Sequence, residues 1–423
     1  MPAQTEADVA ATELEKVEAA LPDLFEVEDT FYSAIEKASD VQVVSFREMR
    51  VPLKMWPGGK PGAFNPEGGD LGRGSGPKFD KAVISPVTTK HAIEWTLKAA
   101  WATDDRRKAI VDAVRENVAD AMAEYRRWLD CCAMTSGNGV LATISAVAAN
   151  TPTGFDTYTC TSEYGVRLLR YNHNVTIYLS NLSAPRHANV TEIEIANIDY
   201  PNQTFATVTQ ANRGQATDVV VHSGLSGANP VSFLGVGYHA SNASTGIWLG
   251  LNRATYPQVR ANAVNAAGAL NLSHARLALN RMGDRLGQNK INKGKLKAWM
   301  HPAQVQAYEE LGQLVQVINR TGGSSQGLDL YFDVNQIAGV PIMKHFSWSK
   351  TRIDFMDMSV WGRGEVAPVE WFKVNGNRIH PIYGASGGLS ATFVSYIVSS
   401  FNYFVRNPGL LSYVYGLTIP SGY

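Results

Sequence analysis

Cysteine is scarce: three in 423 residues, with Cys131 and Cys132 adjacent in a stretch of helical pattern. That excludes a disulfide framework and fits the reduced thiols of a cytosolic product. No basic n-region or apolar core opens the chain, so MPAQTEADVAATELEK is not a secretory signal. The Met1 start suggests that no N-terminal prodomain has been removed. The longest apolar run, Val140 to Ala149, is about half a membrane span and is interrupted by Thr143 and Ser145. Charge is sparse, 18% of the chain, and cancels at 38 bases against 38 acids, which argues against a general nucleic-acid binder. Wholesale disorder is excluded as well, because 45% of the residues are apolar.

Catalytic signatures are missing too. The nine histidines are scattered without H-x-x-x-H, and there is no C-x-x-C, so metal spacing is absent. No G-x-x-x-x-G-K-[ST] occurs, and the run from Gly68 to Gly76 lacks the third glycine and adjoining helix of a dinucleotide fingerprint. Gly384-Ala385-Ser386-Gly387-Gly388 fits G-x-S-x-G, but no Asp, Glu or His follows Ser386 to complete a hydrolase triad. It reads as a glycine-rich turn. Asp354 and Asp357, three apart on a predicted strand, fall on opposite faces and make no carboxylate pair. The sequence therefore predicts no catalytic residues, no metal and no cofactor.

What is present is uneven. Residues 1–40 hold eleven acids against Lys16 and Lys37, a net −9, and the rest of the chain holds 36 bases and 27 acids. This reads as an acidic arm beside a mildly basic body. Within the arm, residues 5–21 have the pattern of a short amphipathic helix, and Phe31–Ala38 that of a second. From Val41 the apolar period becomes two. Met49, Val51, Leu53 and Met55, then Val87 to Leu97, predict two long strands of one hairpin. Between them, residues 57–77 contain eight Gly and four Pro, a tip that is neither helix nor ladder.

Asp104 to about Met134 has no Gly or Pro and repeats apolar residues every three or four positions, which predicts a helix roughly 45 Å long. Residues 151–245 shift towards Thr, Asn, Ser, Val and Gly. Short runs at 166–170, 175–179, 190–195, 205–208 and 218–221 predict an inserted antiparallel barrel or sandwich. Helices are expected at Ser273–Leu286 and from Pro302 through Leu314, with a Gly/Ser loop at 321–327. Strands are expected at 297–300, 337–343, 353–358 and 366–373. The last 37 residues carry one charge, Arg406, and read as a buried or interface-facing strand pair.

Arm, projecting hairpin, long helix and apolar terminus in this order resemble the major capsid proteins of tailed bacteriophages, the HK97-like fold. Leu251-Asn-Arg-Ala-Thr-Tyr-Pro257, Asn265 to Ser273, Met300-His-Pro-Ala-Gln-Val-Gln-Ala-Tyr308, Ile337-Ala-Gly-Val-Pro-Ile342 and Arg406-Asn-Pro-Gly409 strengthen the likeness. The resemblance implies an α+β chain divided as follows: N-terminal arm 1–40, extended hairpin loop 41–100, spine helix and start of the core 101–150, inserted β-domain 151–245, axial domain 246–365 and closing peripheral strands 366–423. It implies a structural subunit, not an enzyme, that assembles as hexamers and pentamers of an icosahedral shell around double-stranded DNA, which is packaged non-specifically. Its partners would be further copies of itself, portal, scaffolding and decoration proteins, with no membrane. Its place would be the virion capsid, assembled in the host cytoplasm.

Trp56, Lys60, Phe64, Arg73, Lys78, Phe79 and Lys81, at and beside the tip, are the candidate inter-subunit contacts. Some members of that family cross-link a loop lysine to a neighbour's asparagine, which would make Lys60 the donor. Two other readings remain at this point. One is an encapsulin-like nanocompartment shell. The other is a hydrolase or carbohydrate-binding protein built on the β-rich segment.

Overall fold

The period-two run at Met49 does form a strand, but its partner is not the run at Val87. In the computed structural model of the chain the described residues are 29–63, 66–67, 72–98, 113–150, 155–161, 163–187, 192–208, 214–288, 291, 294–319, 336–383 and 389–423. Strand Glu48–Trp56 pairs antiparallel with Lys78–Ile84, and Gln42–Ser45 adds an edge on the other side. The hairpin then stops at Ser85-Pro86, where Pro86 has no N–H to continue a ladder. Val87–Thr96 instead lies antiparallel on Leu389–Val405, from Val87 opposite Phe401 to Thr96 opposite Thr392. Alternation marks a strand with one face buried; it does not name the strand that completes its hydrogen bonds.

The chain forms two compact units. The first takes Val87–Gly235 and Glu365–Phe401 with the chain up to Ile35. Its long helix is described over Ala113–Ala133. Ala121, Tyr125, Leu129 and Cys132 fall at helical spacing and are all buried. Tyr125 fixes the helix to the strand pair through Thr89 Oγ1 at 2.6 Å and Ser399 Oγ at 2.7 Å. The short helix Thr30–Ala34 buries Phe31 and Tyr32, and the Tyr32 N–H donates to Asp130 at 2.7 Å. It ends four residues before the expected Ala38.

The β-rich region closes into a six-stranded antiparallel barrel. Its order is Val219–His222, Val140–Asn150, Phe155–Cys160, Thr204–Thr207, Ile193–Asp199 and Asn174–Tyr178, the last pairing back on the first. Closure leaves no unpaired strand edge. The apolar run Val140–Ala149 is thus a barrel strand, ahead of where the composition changes. Val166–Arg170, expected as a strand, is a series of turns bonded Gly165 N–H to Thr161 and Leu169 N–H to Val166; its buried Val166, Leu168 and Leu169 explain the misleading pattern.

Inside the barrel Tyr158 and Phe205 stack with ring centroids 5.0 Å apart. Fully buried Asp218 accepts from Arg186 Nε at 2.7 Å and from the Gln215 N–H at 2.9 Å. Asp218→Ala is expected to lower stability by about 2–3 kcal/mol, since it strands a guanidinium and a backbone donor. Urea denaturation followed by barrel fluorescence measures it, and a loss under about 0.5 kcal/mol would contradict this role.

The second unit takes Glu36–Pro86, Val236–Gly364 and Asn402–Tyr423. Its six-stranded sheet runs Asn262–Gly268, Leu411–Leu417, Ile353–Asp357, Leu296–Met300, Val340–Lys344 and Gln336–Ile337. Helix Leu272–Leu286 starts at Asn271, whose side chain accepts from the Ser273 N–H. It lays Ala275, Ala278, Leu279 and Met282 into a core with Leu296, Ala298, Phe355 and Val414. A second helix is Pro302–Asn319, opened by a proline at its first position. The two C-terminal strands are not a pair. Leu411–Leu417 joins this sheet, while Leu389–Val405 pairs with Val87–Thr96, His380–Tyr383 and Trp361–Trp371. The expected helix 5–21, the start of the long helix at 104–112, the loop 321–327 and the Ser386 turn lie outside the described residues.

Candidate assembly surface

The hairpin sheet is two-faced because its strands alternate. Met49, Val51, Met55, Ala82 and Ile84 point to one side and are buried. Its stem is anchored within the second unit: the Val83 N–H donates to Leu249 O at 2.8 Å, and Tyr256 donates to Asp80 Oδ2 at 3.0 Å. Lys78 Nζ stands 4.9 Å from the centre of the Tyr256 ring, and hydrogen bonding to that tyrosine raises its pKa.

The register places Arg50 opposite Val83, Pro52 opposite Lys81 and Lys54 opposite Phe79 on the other face; it then shifts, and Trp56 lies opposite Lys78. Glu48 and Arg50 pair there, and the guanidinium holds that carboxyl below its ordinary range. This face is basic and carries Phe79, 66% exposed; Trp56, near the strand end, is 46% exposed. Lys81, Lys60 and Arg73 are exposed as well, the last two on the tip. Phe64 lies outside the described residues. Of the expected contacts on the strands, Phe79 and Lys81 share one face, while Trp56 lies opposite Lys78, which is engaged by Tyr256. At the tip's base the Gly59 N–H donates to Ser75 O at 2.7 Å, so the two ends of the loop meet.

The edge strand was not legible as a contact candidate. All four residues of Gln42–Ser45 are exposed, including Val43 and Val44, and Phe46 beyond it is 83% exposed. Among the described residues its outer edge pairs with no strand, and such an edge with bare apolar side chains is a template for another chain. Its only sequence signal, two valines and a phenylalanine in a short run, is shared by ordinary buried strands.

Among the described residues no three His, Cys, Asp or Glu side chains converge to hold a metal. All three thiols are buried; burial pushes Cys160 up to about 12 and Cys132 well above its ordinary value, which disfavours the reactive thiolate. Asp354 is held by Arg352 and by Trp348 Nε1 at 2.9 Å, and Asp357 accepts from the Ser359 N–H at 2.9 Å. Both carboxylates do structural work. Among the described residues no helix is long and apolar enough to cross a membrane.

No protein-family model and no curated protein sequence matches this chain. Solved structures do. A chain of the bacteriophage PhiM1 mature capsid aligns with 96% of this chain and 93% of its own length at 13% identity and a TM-score of 0.47. The holo-SrpI encapsulin of Synechococcus elongatus PCC 7942 aligns over 97% and 95% at 8% identity and a TM-score of 0.44. A chain of the cyanophage A-1(L) capsid asymmetric unit aligns over 96% of this chain and 97% of its own, at 13% identity and a TM-score of 0.55. Across nearly its whole length, this chain shares the fold of that cyanophage capsid chain.

Proposed function

We propose that this chain is the structural subunit of an icosahedral phage shell, built from hexamers and pentamers of itself around double-stranded DNA. The observation that carries the reading is the fold shared end to end with the cyanophage A-1(L) capsid chain. In this reading the fold is HK97-like. Residues 1–40 are the arm, the hairpin 42–84 the extended loop and 104–134 the spine helix. The barrel 140–222 is an insertion, 246–365 the axial domain and 366–423 the closing peripheral strands. The role is structural, without catalysis, and the place is the virion, with assembly in the host cytoplasm. Portal, scaffolding and decoration proteins are the expected further partners.

The hairpin face supplies a physical mechanism. A closed shell from one chain needs heterologous contacts repeated around symmetry axes. The exposed Trp56 and Phe79, each burying on the order of 100 Å² more against a neighbour, would contribute about 2 kcal/mol apiece. Lys60, Arg73 and Lys81 add less, about 0–1 kcal/mol per exposed pair. Their natural counter-charge is the acidic arm, net −9 over residues 1–40. The tip adapts to unequal angles because glycines such as Gly59 and Gly72 already sit at φ of 100° and 70°. A neutral chain also suits enclosed DNA, since tight phosphate contacts would resist its packing.

The sugar-binding or hydrolytic reading loses its footing, because Tyr158, Tyr178 and Phe205 are consumed as barrel core. Negative-stain microscopy of the purified chain tests the proposal, with closed shells as the expected result. Their yield should fall as salt rises from roughly 0.05 to 1 M, over which the Debye length drops from above 10 Å to about 3 Å. A monomer at every salt and protein concentration would overturn the shell; shells indifferent to salt would overturn the arm's role.

A further inference from the structure

The first unit contains a cavity of about 500 Å³ where the barrel meets the strand and helix below it. The strand contributes Thr88, Lys90 and His91, and the long helix contributes Tyr125 and Trp128. The barrel contributes Asn172, His173, Glu192 and His222. His91 and His173 stand with ring centroids 6.1 Å apart, His91 lies 5.9 Å from Tyr125, and His222 packs edge-on against Trp128 at 5.4 Å. Three imidazoles, 131 residues apart at the extremes, thus line one junction.

The geometry points to an acid-sensitive latch: the barrel rests on the strand and helix while His91, His173 and His222 are neutral, and the junction loosens as they take up protons. His222 is satisfied in its neutral form, with Nδ1 3.0 Å from Ser223 O and Nε2 bonded to Ser232. His173 has Glu124 3.4 Å away, but that carboxylate is already clasped by Arg170, with Nε at 2.7 Å. The charged groups facing the imidazoles are Lys90 on the strand, Glu124 on the helix, and Arg170 and Glu192 on the barrel. The long strand adds no charge here: it places Val398 at the cavity, Ile397 opposite His91 and Ser399 beside Thr89. Protons on His91 and His173 would also repel each other.

Burial lowers all three, and it carries His173 to about 4 despite Glu124. A depressed histidine means that the shut junction binds fewer protons than the open one. The latch is therefore complete above the ordinary histidine value of 6.5 and is lost as pH falls from there to about 4. His173 alone reduces the shut-to-open ratio about 30-fold at pH 5 and about 300-fold below pH 4. His91 and His222 act in the same direction. At pH 5 ordinary exposed carboxylates remain ionised, which isolates the histidines.

Amide hydrogen exchange of the full chain, corrected for intrinsic rates, tests this independently of assembly. Between about pH 7.5 and pH 5, segments 87–92, 172–178 and 219–225 should gain about 30-fold in exchange. The remote strand Leu296–Met300 should hold steady. His173→Gln should remove most of the gain, and His91→Gln, at a half-buried position, part of it. An equal rise in Leu296–Met300, no rise at the junction, or a pH response unchanged in both variants would overturn the latch.

Discussion

Gly235→Ala is expected to abolish the folded first unit. A Cβ built at this position would lie 2.0 Å from Ala133 O and 2.6 Å from both Ala133 C and Thr135 O. All three are backbone atoms at the C-terminal end of the long helix, so no side-chain rotation relieves the overlap. The surroundings cannot retreat easily either. Thr135 Oγ1 donates to Cys132 O at 2.8 Å and to Phe233 O at 3.2 Å, and the Ser232 N–H donates to Gly137 O at 2.9 Å. Residues 132–137 and 232–235 are stitched together on either side of the glycine.

Only hydrogen fits the gap. Forcing a methyl into it should cost more than about 4 kcal/mol, a large part of an ordinary domain's stability. The expected outcome is insoluble protein, or a melting temperature lower by about 10 °C or more. Gly74→Ala is the matched control, since nothing lies within 4 Å of its would-be Cβ and its φ is not positive. A Gly235→Ala protein that melts within about 2 °C of the parent would contradict the argument.

Deleting Lys60–Gly76 is expected to reduce shell yield by more than tenfold while leaving a folded subunit. The excision is geometrically mild. Gly59 and Ser75 are already hydrogen-bonded, and the Gly58 Cβ position lies 2.9 Å from Pro77 N, so Gly59 can join Pro77 with little disturbance to the strands below. The stem keeps its anchors at Leu249 and Tyr256. What disappears is the adaptable reach with Lys60 and Arg73, and tenfold corresponds to only about 1.4 kcal/mol per contact, which many repeats multiply.

The double variant Trp56→Ala, Phe79→Ala separates reach from adhesion: it retains the tip and removes about 4 kcal/mol of potential burial. Circular dichroism should match the parent for both variants, and microscopy should show few closed shells. Abundant normal shells from the deletion would remove the hairpin from the assembly mechanism, and unfolded protein would show that the tip serves the stem instead.

The readable parts of this chain were those governed by local rules. The helix stripe Ala121, Tyr125, Leu129 and Cys132 follows from 3.6-residue periodicity, and the structure buries all four. The tip at 57–77 follows from glycine, which weakens a strand, and proline, which cannot donate to a ladder; the flanking strands end at Trp56 and resume at Lys78. Proline and asparagine favour turns for local reasons, and Pro201-Asn202 sits in the turn between Ile193–Asp199 and Thr204–Thr207. The resemblance drawn from element order likewise matched the fold found across the chain.

Partnership was not readable. Val87–Thr96 has the same alternation whether it completes a hairpin or pairs with Leu389–Val405, more than 290 residues away. Val140–Asn150 is apolar enough for several roles, and only closure against Val219–His222 and Phe155–Cys160 makes it a barrel strand. The candidate surface divides in the same way. Phe79 and Lys81 stand beside the tip in the sequence, but their common face depends on the register of two strands. The meeting of His91, His173 and His222 left no trace in spacing.

By itself, then, the sequence determined the segments: forty opening residues at −9, a glycine-rich tip, a long helix and a chain whose bases and acids balance. Those follow from propensity, periodicity and composition, which act over a few residues. Tertiary structure decided which strands pair, which apolar side chains remain exposed on the hairpin, and which histidines lose water together. These depend on contacts between distant residues, whose hydrogen bonds and buried area exist only after the chain has closed on itself.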